Sequence, residues 1–184
     1  KRQALDALQL EGTEHVADVY CGIGTISLLL AHHAAQVDGI ETVPEAIADA
    51  IFNAQENGIK NVGFHCGNAE DVLPRLVREG YHPDAVLIDP PRKGCERPVL
   101  DALLACGAKR LVYVSCNPAT LARDVRILAD GGFRFVYAQP VDMITVEIKQ
   151  RVGYQKRQNL VAPVIEYACA PTLMLHTIPL RALV

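Results

Sequence analysis

The chain has 184 residues, 50% of them apolar, and a formal net charge of −3. This length suits one domain with a true core, and the near balance of charge excludes wholesale electrostatic capture of nucleic acid or anionic membrane. The longest apolar runs, about 5 to 8 residues, fall well short of the roughly 20 that cross a bilayer. KRQALDALQLEG at the start reads as a helix and not as a signal sequence, which gives the expectation of a cytoplasmic chain. The run HVADVYC, from His15 to Cys21, ends in Gly22-Ile23-Gly24 and passes into TISLLLAHHAA, whose length and apolar content predict a helix buried on a sheet. QVDGIE, from Gln36 to Glu41, predicts a second strand. In the TVPEAIADAIFNAQENG that follows, Ile47, Ala50, Ile51 and Ala54 fall on one helical face; Thr42 with Glu45 forms a candidate capping box, and Gly58 a stop.

The cycle then repeats. A third strand is expected from Asn61 to Cys66, with a helix around Asp71 to Glu79. DAVLID, from Asp84 to Asp89, is an apolar fourth strand closed by PPRKG. RPVLDALLACG reads as a helix with Val99, Leu100, Leu103 and Leu104 on one face. RLVYVSC is a fifth strand leading into PATLARDVRILADGG, where Pro118 suits the first turn and Gly131-Gly132 the exit. FRFVYAQP is a sixth strand. Five β-α units with almost continuously apolar strands predict an α/β fold, a mainly parallel sheet with helices on both faces.

Ligands of such sheets bind at the carboxyl ends of the strands. The residues there are Tyr20-Cys21-Gly22, Glu41, Asn68, Asp89-Pro90-Pro91 and Cys116-Asn117-Pro118. Gly22 and Gly24 would let a ligand approach the backbone, although Ser27 replaces the third glycine of a dinucleotide fingerprint. Glu41, roughly 20 residues downstream, could accept both hydroxyls of a ribose. Two prolines make a rigid lip that presents Asp89 beside a planar base, and Arg92, Lys93 and Arg97 could meet phosphates at the mouth. Cys116 ends a strand just before a helix, whose positive terminus favours thiolate. The six cysteines, at 21, 66, 95, 106, 116 and 169, contain no C-x-x-C pair and no His at ligand spacing, so no zinc site or disulfide framework is expected. Most should be small core fillers, Cys21 and Cys106 among them.

Three stretches carry a resemblance: Asp18-Val19-Tyr20-Cys21-Gly22-Ile23-Gly24-Thr25, Asp89-Pro90-Pro91-Arg92-Lys93-Gly94-Cys95, and Val114-Ser115-Cys116-Asn117-Pro118-Ala119-Thr120-Leu121-Ala122-Arg123-Asp124. In this order they resemble the catalytic domain of the RNA 5-methyluridine methyltransferases, closest to the bacterial branch that modifies 23S ribosomal RNA. The likeness spans about residues 1–143, leaving 144–184 as a divergent C-terminal segment that could complete the sheet. It implies a Rossmann-like class I methyltransferase fold, S-adenosylmethionine as cofactor and a uridine of RNA, expected in 23S rRNA, as substrate. By position Tyr20, Glu41 and Asp89 match cofactor-binding residues, with Gly22, Gly24 and Asn68 beside them, and Cys116 matches the nucleophile. Such chemistry needs a thiol: carbon 5 of uracil is a poor nucleophile until a thiolate adds at carbon 6, and a base must later remove the carbon 5 proton so that the cysteine can leave. The uridine would be unstacked or flipped into the pocket.

The resemblance departs at both ends. After Pro140-Val141-Asp142-Met143 the family has Phe-Pro, a Thr and His-Val-Glu, whose Glu is the base. Here Ile144-Thr145-Val146-Glu147 follows, four residues shorter, so Glu147 either serves as base through a shortened loop or the base is lost. If 144–184 complete the sheet, the last strand is expected to run antiparallel, within Leu160 to Cys169 or Ile144 to Ile148. Relatives usually carry an RNA-binding barrel and a cofactor-contacting glutamine ahead of this domain, and some hold an iron-sulfur cluster through N-terminal cysteines, for which no spacing exists here. Lys149, Arg151, Lys156 and Arg157 form a basic stretch that reads as a solvated tail or as a substitute RNA contact. The alternative function is therefore a catalytically impaired cofactor-binding fragment. A NAD-dependent dehydrogenase lacks the third glycine and a hydride-handling residue, and an adenine amino methyltransferase, whose base-binding turn Asp-Pro-Pro resembles, leaves Cys116 unexplained.

Overall fold

A computed structural model describes residues 2–142 and 159–167. Its described strands are β1 (His15–Val19), β2 (Gln36–Glu41), β3 (Val62–Cys66), β4 (Ala85–Ile88), β5 (Arg110–Tyr113), β6 (Phe133–Asp142) and β7 (Asn159–Tyr167), in the sheet order β3-β2-β1-β4-β5-β7-β6. From β3 to β5 every pairing is parallel, and β7 lies antiparallel between β5 and β6. The chain winds outward from β1 in one direction and from β4 in the other. The β1/β4 boundary is therefore the switch point where a crevice opens at the strand ends.

Among the described residues, α1 (Arg2–Leu8) precedes β1, and five helices connect successive strands from β1 to β6: α2 (Thr25–Ala31), α3 (Pro44–Glu56), α4 (Ala69–Arg78), α5 (Arg97–Ala105) and α6 (Pro118–Asp130). Alternation along the central strands explains why they are apolar throughout. Val86, Ile88, Leu111 and Tyr113 face a core made with α4, α5 and α6, including Leu73, Leu100, Leu103 and Leu128. Their neighbours Ala85, Leu87 and Val112 face the other layer, with Leu8 of α1 and Leu30 of α2. A strand covered on both faces has no side to give to water.

Three expectations need correction. The Thr42–Glu45 capping box does not form: α3 begins with Pro44 at its first position after an extended Val43, and no side chain caps it. Proline presets the helical φ and has no N–H to satisfy, and the Thr42 hydroxyl instead donates to Asn68 Oδ1 at 2.7 Å. Ile51, assigned to the buried face of α3, is 43% exposed, while Ile47, Ala50 and Ala54 are buried. The thiols are not mainly core fillers: of the five described, only Cys95 and Cys106 are buried. Cys21 and Cys116 are half-buried and Cys66 is exposed, because each stands at or past a strand end, outside the layers where helices cover the sheet. Glu147, the basic stretch 149–157 and Ile144 to Ile148 lie outside the described residues.

Candidate active site

The turn after β1 starts with Tyr20 in a left-handed conformation, φ 69°, which is rare for a bulky residue and marks functional turns. It is held there by N–H groups of Tyr20 and Cys21, which both donate to the Ile40 carbonyl, at 2.8 and 3.0 Å. Its half-buried ring packs against the α4–α5 core. The two glycines that follow have different reasons for being glycine. Gly22, at φ +56°, would point a Cβ into open space, so the backbone is bare where a ligand would lie. At Gly24, φ +76°, a Cβ would come within 3.0 Å of both Ala50 and Phe64, so here the missing side chain serves packing against α3 and β3.

Ser27 takes the place of a third glycine for a specific reason. Fully buried, it donates from its hydroxyl to Asp18 Oδ2 at 2.6 Å and ties α2 to β1. Asp18 is itself buried, and that burial pushes its carboxyl up to about 6. The Ser27 hydrogen bond works against the rise, and the nearby negative charge of Asp89 adds to it. Burial likewise pushes the Cys21 thiol up to about 12.

Glu41 ends β2 facing this turn. Its Oε2 accepts the Gly22 N–H at 3.1 Å, and its Oε1 accepts from the Thr42 and Val43 N–H groups at 2.7 and 3.0 Å. The carboxylate is thus aimed by backbone amides and retains lone pairs for hydroxyl donors. Asn68 precedes α4 at the end of β3 and is exposed, joined to the Glu41 loop through Thr42. Val43, whose N–H bonds Glu41, is 45% exposed, an apolar side chain just past the end of β2 that carries no sequence signal of its own.

Asp89 follows β4, its N–H donating to the Val19 carbonyl at 3.2 Å, which seats it beside the Tyr20 turn. Its side chain reaches solvent, yet surrounding protein displaces enough water to raise its carboxyl above the usual carboxylate range. Across the β4–β5 pair the Val114 N–H donates to the Ile88 carbonyl at 2.8 Å, so the loop of Cys116 leaves the sheet beside the loop of Asp89. Half-buried Cys116 lies one residue before Asn117, whose side chain accepts the Ala119 N–H at 3.1 Å and caps α6. Of the three cations at the mouth, Lys93 and Arg97 pair with Glu96 and Asp101, each at 2.8 Å, and Arg92 stands exposed. Tyr20, Gly22, Glu41, Asn68, Asp89 and Cys116 therefore all line the carboxyl edge of neighbouring strands, with Gly24 packed beneath them. Among the described residues no group of three or more His, Cys, Asp or Glu could hold a metal, and no helix is long and apolar enough to cross a membrane.

RNA methyltransferases of Oceanobacillus iheyensis and Halalkalibacterium halodurans are each 55% identical over 141 residues, which make up 77% of this chain and 31% of those proteins. The chain thus spans less than a third of the curated relatives' length. The structure of Pyrococcus abyssi tRNA (uracil-54, C5)-methyltransferase in complex with S-adenosyl-L-homocysteine superimposes with a TM-score of 0.70 at 25% identity, covering 90% of this chain and 37% of that one. Precorrin-6y C5,15-methyltransferase from Geobacter metallireducens, 18% identical with a TM-score of 0.72 over 91% of this chain and 86% of that one, shares the fold. The family model described as tRNA (uracil-5-)-methyltransferase matches residues 2–132, and the chain belongs to that family.

Proposed function

We propose that this chain is the cofactor-binding and catalytic portion of an enzyme that methylates carbon 5 of a uridine in RNA, in 23S ribosomal RNA by the resemblance of its motifs, with residues 1–143 as the catalytic domain. The observation that carries the reading is the seating of Cys116 on the loop next to that of Asp89, on the same sheet edge as the Gly22–Glu41 cradle.

The residues present fit S-adenosylmethionine. Gly22 leaves open space against its backbone, Glu41 is oriented to accept ribose hydroxyls, and Asp18, Glu41 and Asp89 make the crevice acidic, which suits a cofactor with positive groups. When bound, the cofactor supplies a methyl group on a cationic sulfur, the electrophile of the reaction. Tyr20 and Asn68 bound the same cradle. Cys116 adds through its sulfur to uracil carbon 6, and the electron pair of the 5,6 double bond moves to carbon 5 and oxygen 4. After carbon 5 has gained its substituent, its proton passes to a base, the double bond re-forms and the thiolate departs. Glu147 is the candidate base by the sequence.

The reading is tested on a denaturing gel with radiolabelled RNA containing 5-fluorouridine, which has no carbon 5 proton to lose and so traps the adduct. A slower band that requires the cofactor and vanishes in Cys116→Ala supports it; a band that persists in the variant refutes the role of Cys116. A second reading, a cofactor-binding portion that does not turn over alone, is favoured by the 31% coverage of the relatives. It expects cofactor binding without release of methylated RNA: no adduct where the RNA is not engaged, or, where the base is missing, an adduct that persists even on ordinary uridine.

A further inference from the structure

We infer that Asp124 is a positioning residue: it fastens the loop that carries Asp89 and Arg92 to the helix that follows Cys116, and so sets the spacing between nucleophile and cofactor loops. The inference rests on the function proposed above. Asp124 lies on α6 and is fully buried. Its Oδ2 accepts the Cys95 N–H at 2.8 Å and the Tyr113 hydroxyl at 2.6 Å, and its Oδ1 accepts Arg123 Nε at 2.8 Å. Arg123 then turns its Nη2 onto the carbonyls of Lys93 and Cys95, at 3.1 and 3.0 Å.

The donors all belong to the loop or to groups that grip it. Burial pushes the Cys95 thiol up to about 12 and raises the Tyr113 phenol too, so both stay protonated and form a relay from Cys95 Sγ to Tyr113 to Asp124. Gly94 shows how close the grip is. It adopts φ +78°, and a Cβ there would sit 2.6 Å from Asp124 Oδ2 and 2.7 Å from Arg123 Nη2. At the other end of the loop, the Arg92 carbonyl accepts from Asn117 Nδ2 at 3.0 Å and Thr120 Oγ1 at 3.2 Å, both within four residues of Cys116. A buried carboxylate is costly unless every lone pair is answered. Here the answering groups converge on the backbone from Arg92 to Cys95, the segment that follows Asp89 and that the nucleophile's helix lies across.

The test uses the 184-residue chain, Asp124→Asn and the half-exposed Arg123→Ala and Arg123→Lys. Mass spectrometry follows iodoacetamide labelling of Cys116 with exposed Cys66 as internal reference, calorimetry gives affinity for S-adenosylhomocysteine, and urea denaturation gives global stability. Loss of charge-assisted hydrogen bonds to the loop is expected to change Cys116 labelling about tenfold relative to Cys66 in Arg123→Ala. Affinity should fall in parallel, with an intermediate effect in Arg123→Lys. If Asp124→Asn fails to fold, Arg123→Ala decides. An unchanged Cys116 rate in folded Arg123→Ala, or a change that Cys66 shares in proportion to lost stability, overturns the positioning role. A parent that does not bind S-adenosylhomocysteine overturns the proposed function instead, and leaves the Cys116 labelling to judge Asp124.

Discussion

Ser27 and Asp18 meet at 2.6 Å where neither reaches solvent, and this pair joins the glycine turn to the first strand. Burial makes the Asp18 anion unwelcome in the folded chain and lifts its carboxyl from 3.8 to about 6. Because the folded state holds the proton more tightly, Asp18 contributes stability below about pH 4, and loses it as pH rises through about 6. The difference corresponds to about 3 kcal/mol. Asp18→Asn keeps an acceptor for Ser27 and never ionises. It should therefore gain stability relative to the parent between pH 4 and 7, with a plateau above. Urea denaturation across that range checks this, and a flat difference would show that Asp18 does not titrate there.

Gly22 and Gly24 separate binding from packing. Gly24→Ala must place a Cβ against Ala50 and Phe64 at an unfavourable φ, and should cost about 2–3 kcal/mol of stability. Gly22→Ala meets nothing in the chain, costs about 1–2 kcal/mol from its φ alone, and should weaken S-adenosylhomocysteine binding more than it weakens the fold. Calorimetry beside denaturation distinguishes the two, and equal loss of binding and stability in both would contradict the distinction.

How far the sequence reveals this site depends on what each residue's neighbours are. The strand-end residues are legible because β-α alternation alone places them on one edge, and the stretch through Cys116 and Asp124 carried the family resemblance. The left-handed Tyr20 was not legible: its conformation is imposed by hydrogen bonds to Ile40, from a strand 20 residues away. Ser27 looked like a defect in a glycine pattern until its partner Asp18 was in place. Thr42 and Glu45 matched a capping pattern, but Pro44 already satisfied the helix start and Thr42 found Asn68. Asp124 was legible only as the last residue of that stretch, and the fold reveals that Cys95 and Tyr113 converge on it.

Arg110 should matter for stability without touching the site. It donates to the carbonyls of Leu8 and Gln9 and pairs with Glu14 at 3.2 Å, mostly out of water, fastening α1 to the amino-terminal end of β5. Glu14 also accepts from the N–H groups of Glu11, Gly12 and Thr13. Burial opposes its charge, but these donors outweigh it and hold its carboxyl below the ordinary value. Arg110→Ala leaves carbonyls and a carboxylate underserved and should destabilise by about 3 kcal/mol, measured by urea denaturation, with S-adenosylhomocysteine affinity unchanged.

Native thiol labelling at pH 8 should rank the described cysteines by environment. Exposed Cys66 should react first, Cys116 should follow, and Cys95 and Cys106 should be protected until unfolding. Cys21 is half-buried like Cys116, but its thiol is pushed up to about 12, so it should lag behind. Peptide mass spectrometry over a time course checks the order, and labelling of Cys21 ahead of Cys116 would contradict the assigned environments.

The central claim is that the edge formed by Gly22, Glu41 and Asp89 is a methyl-donor pocket. Calorimetric titration of the purified chain with S-adenosylhomocysteine, beside a folded Asp89→Ala variant, tests it most directly. Saturable binding by the parent with at least tenfold loss in the variant is the predicted result; a folded parent that releases no binding heat and shows no thermal stabilisation by the ligand would contradict it.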